Sequence, residues 1–302
     1  MPSSTILVGT ASFADRGLLA TGRFYPPEIT HPAQRLPYYA SQFPLVEIDA
    51  TYYGMPDPVM THGWAQRSPE GFTINVKAFR ALTGHPTPLR ALPAEVREAF
   101  DGPPDATILP NALPATALRE LWHRFTLGIE PLRQADRLGT VLCQLPGWVR
   151  ANAAGRQQVL SCVRGLEGLI PAFEFRHRSW FADERATADT LGLLRDVGAV
   201  HVVVDAPQVG ERTVPAIWAA THPDIAMVRL HGRNTRAWDH AGGHSGGRFD
   251  YVYTPQELAE LAESARLLAA QAKRLHVVVN TNRDDQGVVN ARGIVQALDA
   301  LG

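Results

Sequence analysis

Acidic, basic and amide side chains stand at the ends of short apolar runs throughout this chain. The runs read VEID (46–49), INVK (74–77), VLCQ (141–144), FEFRH (173–177), VVVD (202–205), VRLH (228–231) and VVVN (277–280). Carboxylates and imidazoles transfer protons, whereas guanidinium and ammonium groups hold anions. The candidates for catalysis are Glu174, Asp205 and His231. The candidates for ligand binding are Glu47, Asp49, Tyr52, Lys77, Gln144, Arg176, His177, Arg229, Arg233 and Asn280.

The carboxylates of this set can supply an acid and a base, because crowding and burial separate their pKa values. The alternative is structural pairing with the cations of the same set. We favour the functional interpretation, and we expect Glu174 to carry more functional weight than Glu47. Glu174 is followed at once by Arg176 and His177, whereas Glu47 is expected to anchor Lys77 on a neighbouring strand.

Cationic groups are concentrated near the runs 173–177 and 228–231, and two interpretations of these groups stay open. Arginine forks match phosphate and carboxylate groups, so an anionic substrate is one interpretation. The other is that the arginines only neutralise Glu47 and Glu174. A Schiff base at Lys77 is less favoured than an ion pair, because adjacent carboxylates keep an ammonium group charged. The cationic candidates are Arg176, His177, Arg229, His231 and Arg233.

A divalent metal is possible at these positions, but the sequence does not predict one. The histidines and carboxylates show no spacing of the HxH or HExxH kind. Cys143 and Cys162 form no metal or redox motif. The side chains that could ligate a metal are Glu174, His177, Asp205, His231 and Asn280. We therefore expect no cofactor.

The runs themselves, together with ILVGT (6–10), are typical of eight buried parallel strands separated by helices. Eight such units predict a single (β/α)8 TIM-type barrel of class α/β over residues 1–302, with a proline-rich insertion at about 82–114. Successive strand residues point to opposite faces, so Phe173 and Phe175 are expected outside and Glu174 and Arg176 inside. Residues 11–31 are expected to form a loop, and helices are expected near 32–43, 115–125, 183–197 and 286–301. The glycine-rich segment GGHSGG (242–247) is expected to be a flexible lid, with His240 and His244 solvated.

Charge and cysteine content limit the partners. The net charge of -1 gives no reason to expect nucleic acid or an anionic membrane. Two cysteines without a disulfide framework, and the absence of a signal-peptide pattern, favour a cytoplasmic location. The sequence does not indicate an oligomeric state.

Nine segments, in this order, resemble the domain-of-unknown-function 72, or YecE-like, family. They are VGTASF (8–13), GRFYP (22–26), VEIDATYY (46–53), FTINVKAF (72–79), QLP (144–146), FEFRHRSW (173–180), VVVDAP (202–207), VRLHGR (228–233) and VVNAR (288–292). The resemblance runs along nearly the whole chain. It implies a TIM-type barrel and no established reaction.

From the residues, the favoured function is an enzyme, a hydrolase or lyase, that acts on a small anionic or sugar- or phosphate-bearing ligand. The ligand would bind at the face formed by the carboxyl ends of the strands. A barrel that binds or senses a ligand without catalysis is the first alternative. A metal-dependent nuclease is the second, and the near-neutral charge weighs against it.

Overall fold

Eight parallel strands close into one barrel, which confirms the predicted fold class. The computed structural model describes residues 4–238 and 245–302. The strands are β1 (Thr5–Thr10), β2 (Leu45–Ile48), β3 (Thr73–Lys77), β4 (Leu138–Gln144), β5 (Pro171–Glu174), β6 (Val200–Asp205), β7 (Ile225–Leu230) and β8 (Arg274–Val279). Each strand pairs with its neighbours in chain order, and β1 pairs with both β2 and β8.

The helices follow the strands and cover the outside of the barrel. They are α1 (Arg16–Thr21), α2 (Pro32–Gln42), α3 (Pro58–Arg67), α4 (Ala94–Arg97), α5 (Ala115–Gln134), α6 (Ala153–Gly165), α7 (Glu184–Asp196), α8 (Thr235–Trp238), α9 (Ser245–Arg248), α10 (Pro255–Ala269) and α11 (Gln286–Asp299). Short 3₁₀ turns lie at Ala50–Tyr52, Leu89–Ala91, Pro110–Ala112 and Arg178–Phe181. Within the described residues, no helix is long and apolar enough to cross a membrane.

Strand alternation divides the side chains as expected. Phe173 and Phe175 stack on each other with ring centroids 6.3 Å apart, and Phe175 packs on Trp180 of the turn outside the barrel. Glu174, on the other face of β5, is fully buried and bonds to Arg229 of β7. Since β6 lies between these two strands, that bond must cross the barrel interior.

Two expected boundaries were wrong. Residues 11–31 are not all loop, because α1 begins after Asp15, whose side chain accepts from the N–H of Gly17, and ends at Gly22 in the left-handed conformation. The helix expected near 115–125 continues to Gln134, since Ile129 and Leu132 extend its buried face. The helix expected near 32–43 is confirmed as α2.

The proline-rich insertion packs against the outer helices. It contains α4, two 3₁₀ turns and a two-stranded antiparallel ribbon, Thr87–Pro88 with Thr107–Ile108. Glu95 of α4 forms an ion pair of 3.1 Å with Arg124 of α5. The carbonyl of Leu82 accepts a hydrogen bond from Gln158 of α6. Of the expected glycine-rich lid, residues 242–244 and both histidines, His240 and His244, lie outside the described residues.

The close approach of β1 to β2 generates a stability prediction. A Cβ added to Gly9 would overlap the carbonyl oxygen of Leu45, whereas a Cβ added to Gly192 on α7 would meet no atom within 4 Å. We expect Gly9→Ala to lower the free energy of unfolding by about 1–3 kcal/mol, because the barrel must shift to admit the methyl group. Gly192→Ala, the matched control, should raise it by about 0.5–1 kcal/mol through helix propensity.

Denaturant unfolding of the two variants beside the wild type checks this. Equal stabilities for Gly9→Ala and the wild type would mean that β1 and β2 are not packed as closely as described.

Candidate active site at the barrel mouth

A single arginine joins two glutamates across the barrel interior. Arg229 of β7 donates to Glu47 of β2 at 2.6 Å and to Glu174 of β5 through its other terminal nitrogen. All three residues are at most 1% exposed. Removing one partner from such a group would leave a buried charge without compensation, so the three side chains depend on one another.

Glu174 has the largest number of partners in this group. One of its oxygens also accepts from Gln144 at 2.6 Å and from Arg176. Arg176 in turn lies 3.1 Å from Nε2 of His231, and Nδ1 of His231 lies 2.8 Å from the amide nitrogen of Asn280. The sequence predicts that these side chains point into one barrel mouth, and the structure joins them into one hydrogen-bonded network.

The two glutamates differ in protonation. Burial alone would raise the pKa of Glu174, but the guanidinium groups of Arg176 and Arg229 together outweigh burial and hold that pKa well below its usual range. For Glu47 burial prevails over Arg229, assisted by the nearby charge of Asp49, and raises the pKa to about 7. Oε2 of Glu47 is buried and accepts no hydrogen bond within the described residues. At neutral pH Glu174 is therefore a fixed anion, and Glu47 is the carboxyl group that can gain or lose a proton.

A polar layer lies below the glutamates and fills the barrel. The side-chain oxygen of Asn75 on β3 accepts from the backbone N–H of Thr140 at 3.0 Å and contacts Nδ1 of His276 at 3.1 Å. The hydroxyl of Thr140 lies 3.8 Å from the sulfur of Met227. Burial lowers the pKa of His276 to about 3, so this imidazole is neutral. All four of these side chains are buried.

Above the network a cavity of about 1620 Å³ opens at the carboxyl ends of the strands. Several predicted ligand-binding residues line it: Asp49, Tyr52, Lys77, Gln144, Arg176, His177 and Asn280. Glu47, Glu174, Arg229 and His231 are not among its lining residues, and they lie within the fully buried part of the barrel. Their charges act on the cavity from beneath.

One wall of the cavity combines a cation with aromatic rings. Nζ of Lys77 forms an ion pair of 2.8 Å with Asp49 and lies 4.5 Å from the ring centroid of Tyr52. Glu47, which was expected to anchor Lys77, binds Arg229 instead. The ring of His85 packs edge-on between Tyr52 at 5.2 Å and Trp148 at 6.1 Å. The arrangement suits a ligand with both an anionic group and a flat or sugar-like body.

Asp205 and Arg233 belong to a different cluster. Asp205 accepts from the hydroxyl of Tyr253 at 2.6 Å and forms an ion pair of 2.9 Å with Arg233. Arg233 also reaches Glu257 of α10 at 3.3 Å. On β6, Asp205 alternates with Val204, whose register partner is Arg229. Within the described residues, neither Asp205 nor Arg233 lines the cavity, so the structure does not bring Asp205 together with Glu174.

His177 occupies the rim. Its Nδ1 accepts from the backbone N–H of Ser179, and its Nε2 lies 3.7 Å from Glu211. Burial, followed by the charge of Arg150, lowers its pKa. The expectation that the run FEFRH forms one strand was wrong, because the strand ends at Glu174 and His177 lies beyond it.

Several cavity residues were missed in the sequence, among them His85, Trp148 and Arg248. His85 follows β3 by eight positions within a glycine-containing turn, and no apolar run marks it. Trp148 follows the proline that ends β4, and it is 55% exposed. A search for polar residues in the loops after each strand would have found them, because loops at this face form the sites of such barrels.

Across residues 4–238 and 245–302, no group of three or more His, Cys, Asp or Glu side chains could hold a metal ion.

Comparisons with known proteins agree with the resemblance of the motifs. The model of the family described as "Protein of unknown function DUF72" matches residues 7–301. The UPF0759 protein YunF of Bacillus subtilis (strain 168) is 28% identical over 297 residues, which are 97% of this chain and 95% of that protein. Crystal structures of two DUF72 proteins share the fold. The one from Enterococcus faecalis V583 has a TM-score of 0.78 at 23% identity, with 98% of this chain and 96% of that chain covered. The one from Thermotoga maritima MSB8 has a TM-score of 0.75 at 27% identity, with 98% of this chain and 99% of that chain covered.

The different protonation of the two glutamates gives a pH-dependent prediction. The pKa of Glu47 is raised from 4.5, its ordinary value, to about 7 in the folded protein. The stabilisation that this group contributes is therefore fully present below about pH 4.5 and is lost as the pH rises to about 7. Glu47→Gln removes this dependence. The stability of the wild type relative to Glu47→Gln should therefore fall by up to about 1.4 kcal/mol per pH unit in that window.

Glu174→Gln is the comparison variant. It removes a fixed charge from between Arg176 and Arg229, so we expect a loss of about 3–5 kcal/mol at neutral pH. Urea unfolding of the three proteins between about pH 5 and pH 8 measures both effects. Parallel pH profiles for the wild type and Glu47→Gln would contradict the assignment of the proton to Glu47.

Proposed function

Because this chain belongs to the DUF72 family, whose description assigns no reaction, we propose its function from the chemistry of the cavity. It binds a small organic anion, a phosphate or carboxylate group carried on a sugar-like or planar body, and acts on it as a hydrolase or lyase. The observation that carries this proposal is the wall where Lys77 and the rings of Tyr52, His85 and Trp148 face one large cavity.

The charges around the cavity support an anionic ligand. Among the residues that the structure describes, six cationic side chains line it, Arg16, Lys77, Arg150, Arg176, Arg212 and Arg248, against four acidic ones, Asp15, Asp49, Glu211 and Asp284. The difference, six minus four, leaves two positive charges facing the ligand space. Water-filled clefts with a surplus of one sign concentrate ligands of the opposite sign.

The buried network supports the same interpretation. Glu174, which also accepts from Gln144, holds Arg176 from below, so the guanidinium group is fixed at the cavity floor before a ligand arrives. A binding group fixed by its neighbours loses less conformational entropy when the ligand binds. Arg229 does not contact the ligand space, because it is fully buried. Its role is to join Glu47 to Glu174.

Asn280 and Gln144 add polar contacts at the same floor, and both line the cavity. Amides donate and accept hydrogen bonds, which suits the hydroxyl groups of a sugar. We also infer a reducing, cytoplasmic setting, since Cys143 and Cys162 are both free and buried.

The proposal is tested by calorimetric titration with glucose 6-phosphate and, as the uncharged comparison, glucose. We expect the phosphorylated sugar to bind more tightly. Lys77→Gln should weaken its binding about tenfold or more, which corresponds to about 1.4 kcal/mol. Arg133→Gln is the matched control, because Arg133 forms an exposed ion pair with Glu130 on α5, away from the cavity.

Equal binding of both sugars, or unchanged binding by Lys77→Gln, would contradict the anionic site. A screen of phosphate esters and glycosides then separates the two remaining possibilities. Turnover that is lost in Lys77→Gln supports an enzyme, whereas tight binding without turnover supports a barrel that only binds or senses its ligand.

A further inference from the structure

His85 is held in a fixed orientation by the turn that follows β3. Its backbone N–H donates to the carbonyl of Arg80 at 3.0 Å, and its Nδ1 lies 3.0 Å from the hydroxyl of Thr83. Gly84, between them, has φ +84°, a conformation that strains other residues. Thr83 is buried, and its hydroxyl also donates to the carbonyl of Arg80. Because this hydroxyl donates to that carbonyl, it accepts from Nδ1–H, which leaves Nε2 as the unprotonated nitrogen of a neutral ring.

The ring lies inside the cavity wall. Tyr52 and Trp148 both contact the ring, and all three residues line the cavity. Within the described residues no hydrogen bond reaches Nε2 of His85. The nitrogen that could exchange a proton with a ligand is therefore the one left uncommitted by the turn.

Positive charges surround this imidazole. Burial, followed by Lys77, Arg80 and Arg176, lowers the pKa of His85 to about 3. Arg80 stacks over the same Tyr52 ring that Lys77 approaches, at 5.4 Å. The three cations approach from the end of β3, the turn after it and the end of β5, and all of them favour the neutral ring.

We propose that His85 is the proton-exchanging residue of the cavity, and that it takes up a proton at Nε2 when a dianion binds beside Lys77 and Arg176. This inference rests on the anionic site proposed above and adds the acid–base group to it. A dianion would offset the positive field of the neighbouring cations, so the protonated imidazole would become favourable in the complex. A protonated ring against a bound phosphate ester can then donate its proton to the ligand.

Linkage gives the expected sign. If the bound form holds its proton more tightly than the free form, affinity for the dianion rises as the pH falls below the bound-state pKa, towards the free-state value of about 3. Every pH unit in that range increases affinity by up to about tenfold. The effect must be separated from other titrating groups near the site. Two titrating groups need control variants: His177 at the rim and Glu47 below the floor. His231, beneath Arg176, is a third group. Its pKa, about 3, lies below the tested range unless the ligand shifts it.

The groups near His85 come from several elements. Tyr52, in the turn after β2, contacts its ring, and Asp49 and Tyr53 act on Tyr52 from the same turn. Lys77, Arg80 and Thr83 come from β3 and the turn that follows it. Trp148 contacts the ring, Arg176 acts on it through its charge, and Gln158 of α6 lies beside Gly84. Burial raises the pKa of Tyr52 to about 12, so this phenol stays neutral throughout the tested range. Among the charged members, the three cations outnumber the one acid, Asp49.

Sulfate is the probe for the experiment, because its charge of two does not change between about pH 8 and about pH 5. Calorimetric titration at matched ionic strength measures its affinity across this range, and imidazole NMR signals follow each histidine. Assignment of the His85 signal comes from its loss in His85→Gln. The wild type should bind sulfate about tenfold or more tightly at the acid end, and the His85 signal should show protonation only when sulfate is present.

Four variants separate the contributions. His85→Gln should bind sulfate with much less dependence on pH, whereas His177→Gln and Glu47→Gln should keep most of it. Circular dichroism at each pH confirms that every protein is folded. Thr83→Val, which removes the hydroxyl partner of Nδ1 and leaves Nε2 in place, should keep sulfate binding but shift the pH at which His85 protonates.

The outcomes distinguish this inference from the function on which it rests. An absence of sulfate binding at every pH would overturn both. Binding that is independent of pH, or the same pH dependence in His85→Gln as in the wild type, would overturn the inference and leave the anionic site standing. Loss of the pH dependence in Glu47→Gln but not in His85→Gln would assign the proton to the buried glutamate instead.

Discussion

The bond between one guanidinium group and two glutamates is the constraint on which the rest of this barrel depends. Arg229 reaches from β7 to β2 and to β5, and its partners, Glu47 and Glu174, are as deeply buried as it is. Barrels of this kind usually fill their interior with branched apolar side chains. Here charges fill the upper part, and they are tolerated only because each charged group finds an opposite partner.

The electrostatics of the mouth follow from that interior. Glu174 is committed as an anion to Arg176, and in this way it sets the position of a cation at the cavity floor. Glu47 is left with one oxygen that accepts no hydrogen bond within the described residues, and burial makes it the titrating carboxyl. Arg176, which binds Glu174 and not Glu47, therefore separates the roles of two chemically identical side chains. The cationic surplus above the network follows from residues on the loops, with Lys77 and His85 on one wall.

Much of the architecture could be predicted from local patterns. The eight apolar runs mark the eight strands, and period-two alternation alone predicts Phe173 outside and Glu174 inside. The weaker points were stretches without such a pattern. The helix α1 lies in a segment rich in glycine and is only six residues long, so its Asp15 cap was the sole local signal. His85 likewise stands in a turn, where no periodicity reports on burial.

The amino-acid sequence alone determined which residues face the barrel interior, because the direction of a strand side chain depends only on its position along the strand. It also determined that the mouth would be polar, since the runs end in charged and amide residues. Only the tertiary structure decided the pairing. Long side chains reach across strands that are far apart in the chain, so Glu47 meets Arg229 rather than the nearer Lys77, and Asp205 turns to Tyr253. The pKa values depend on those distances and on burial, which no local pattern contains.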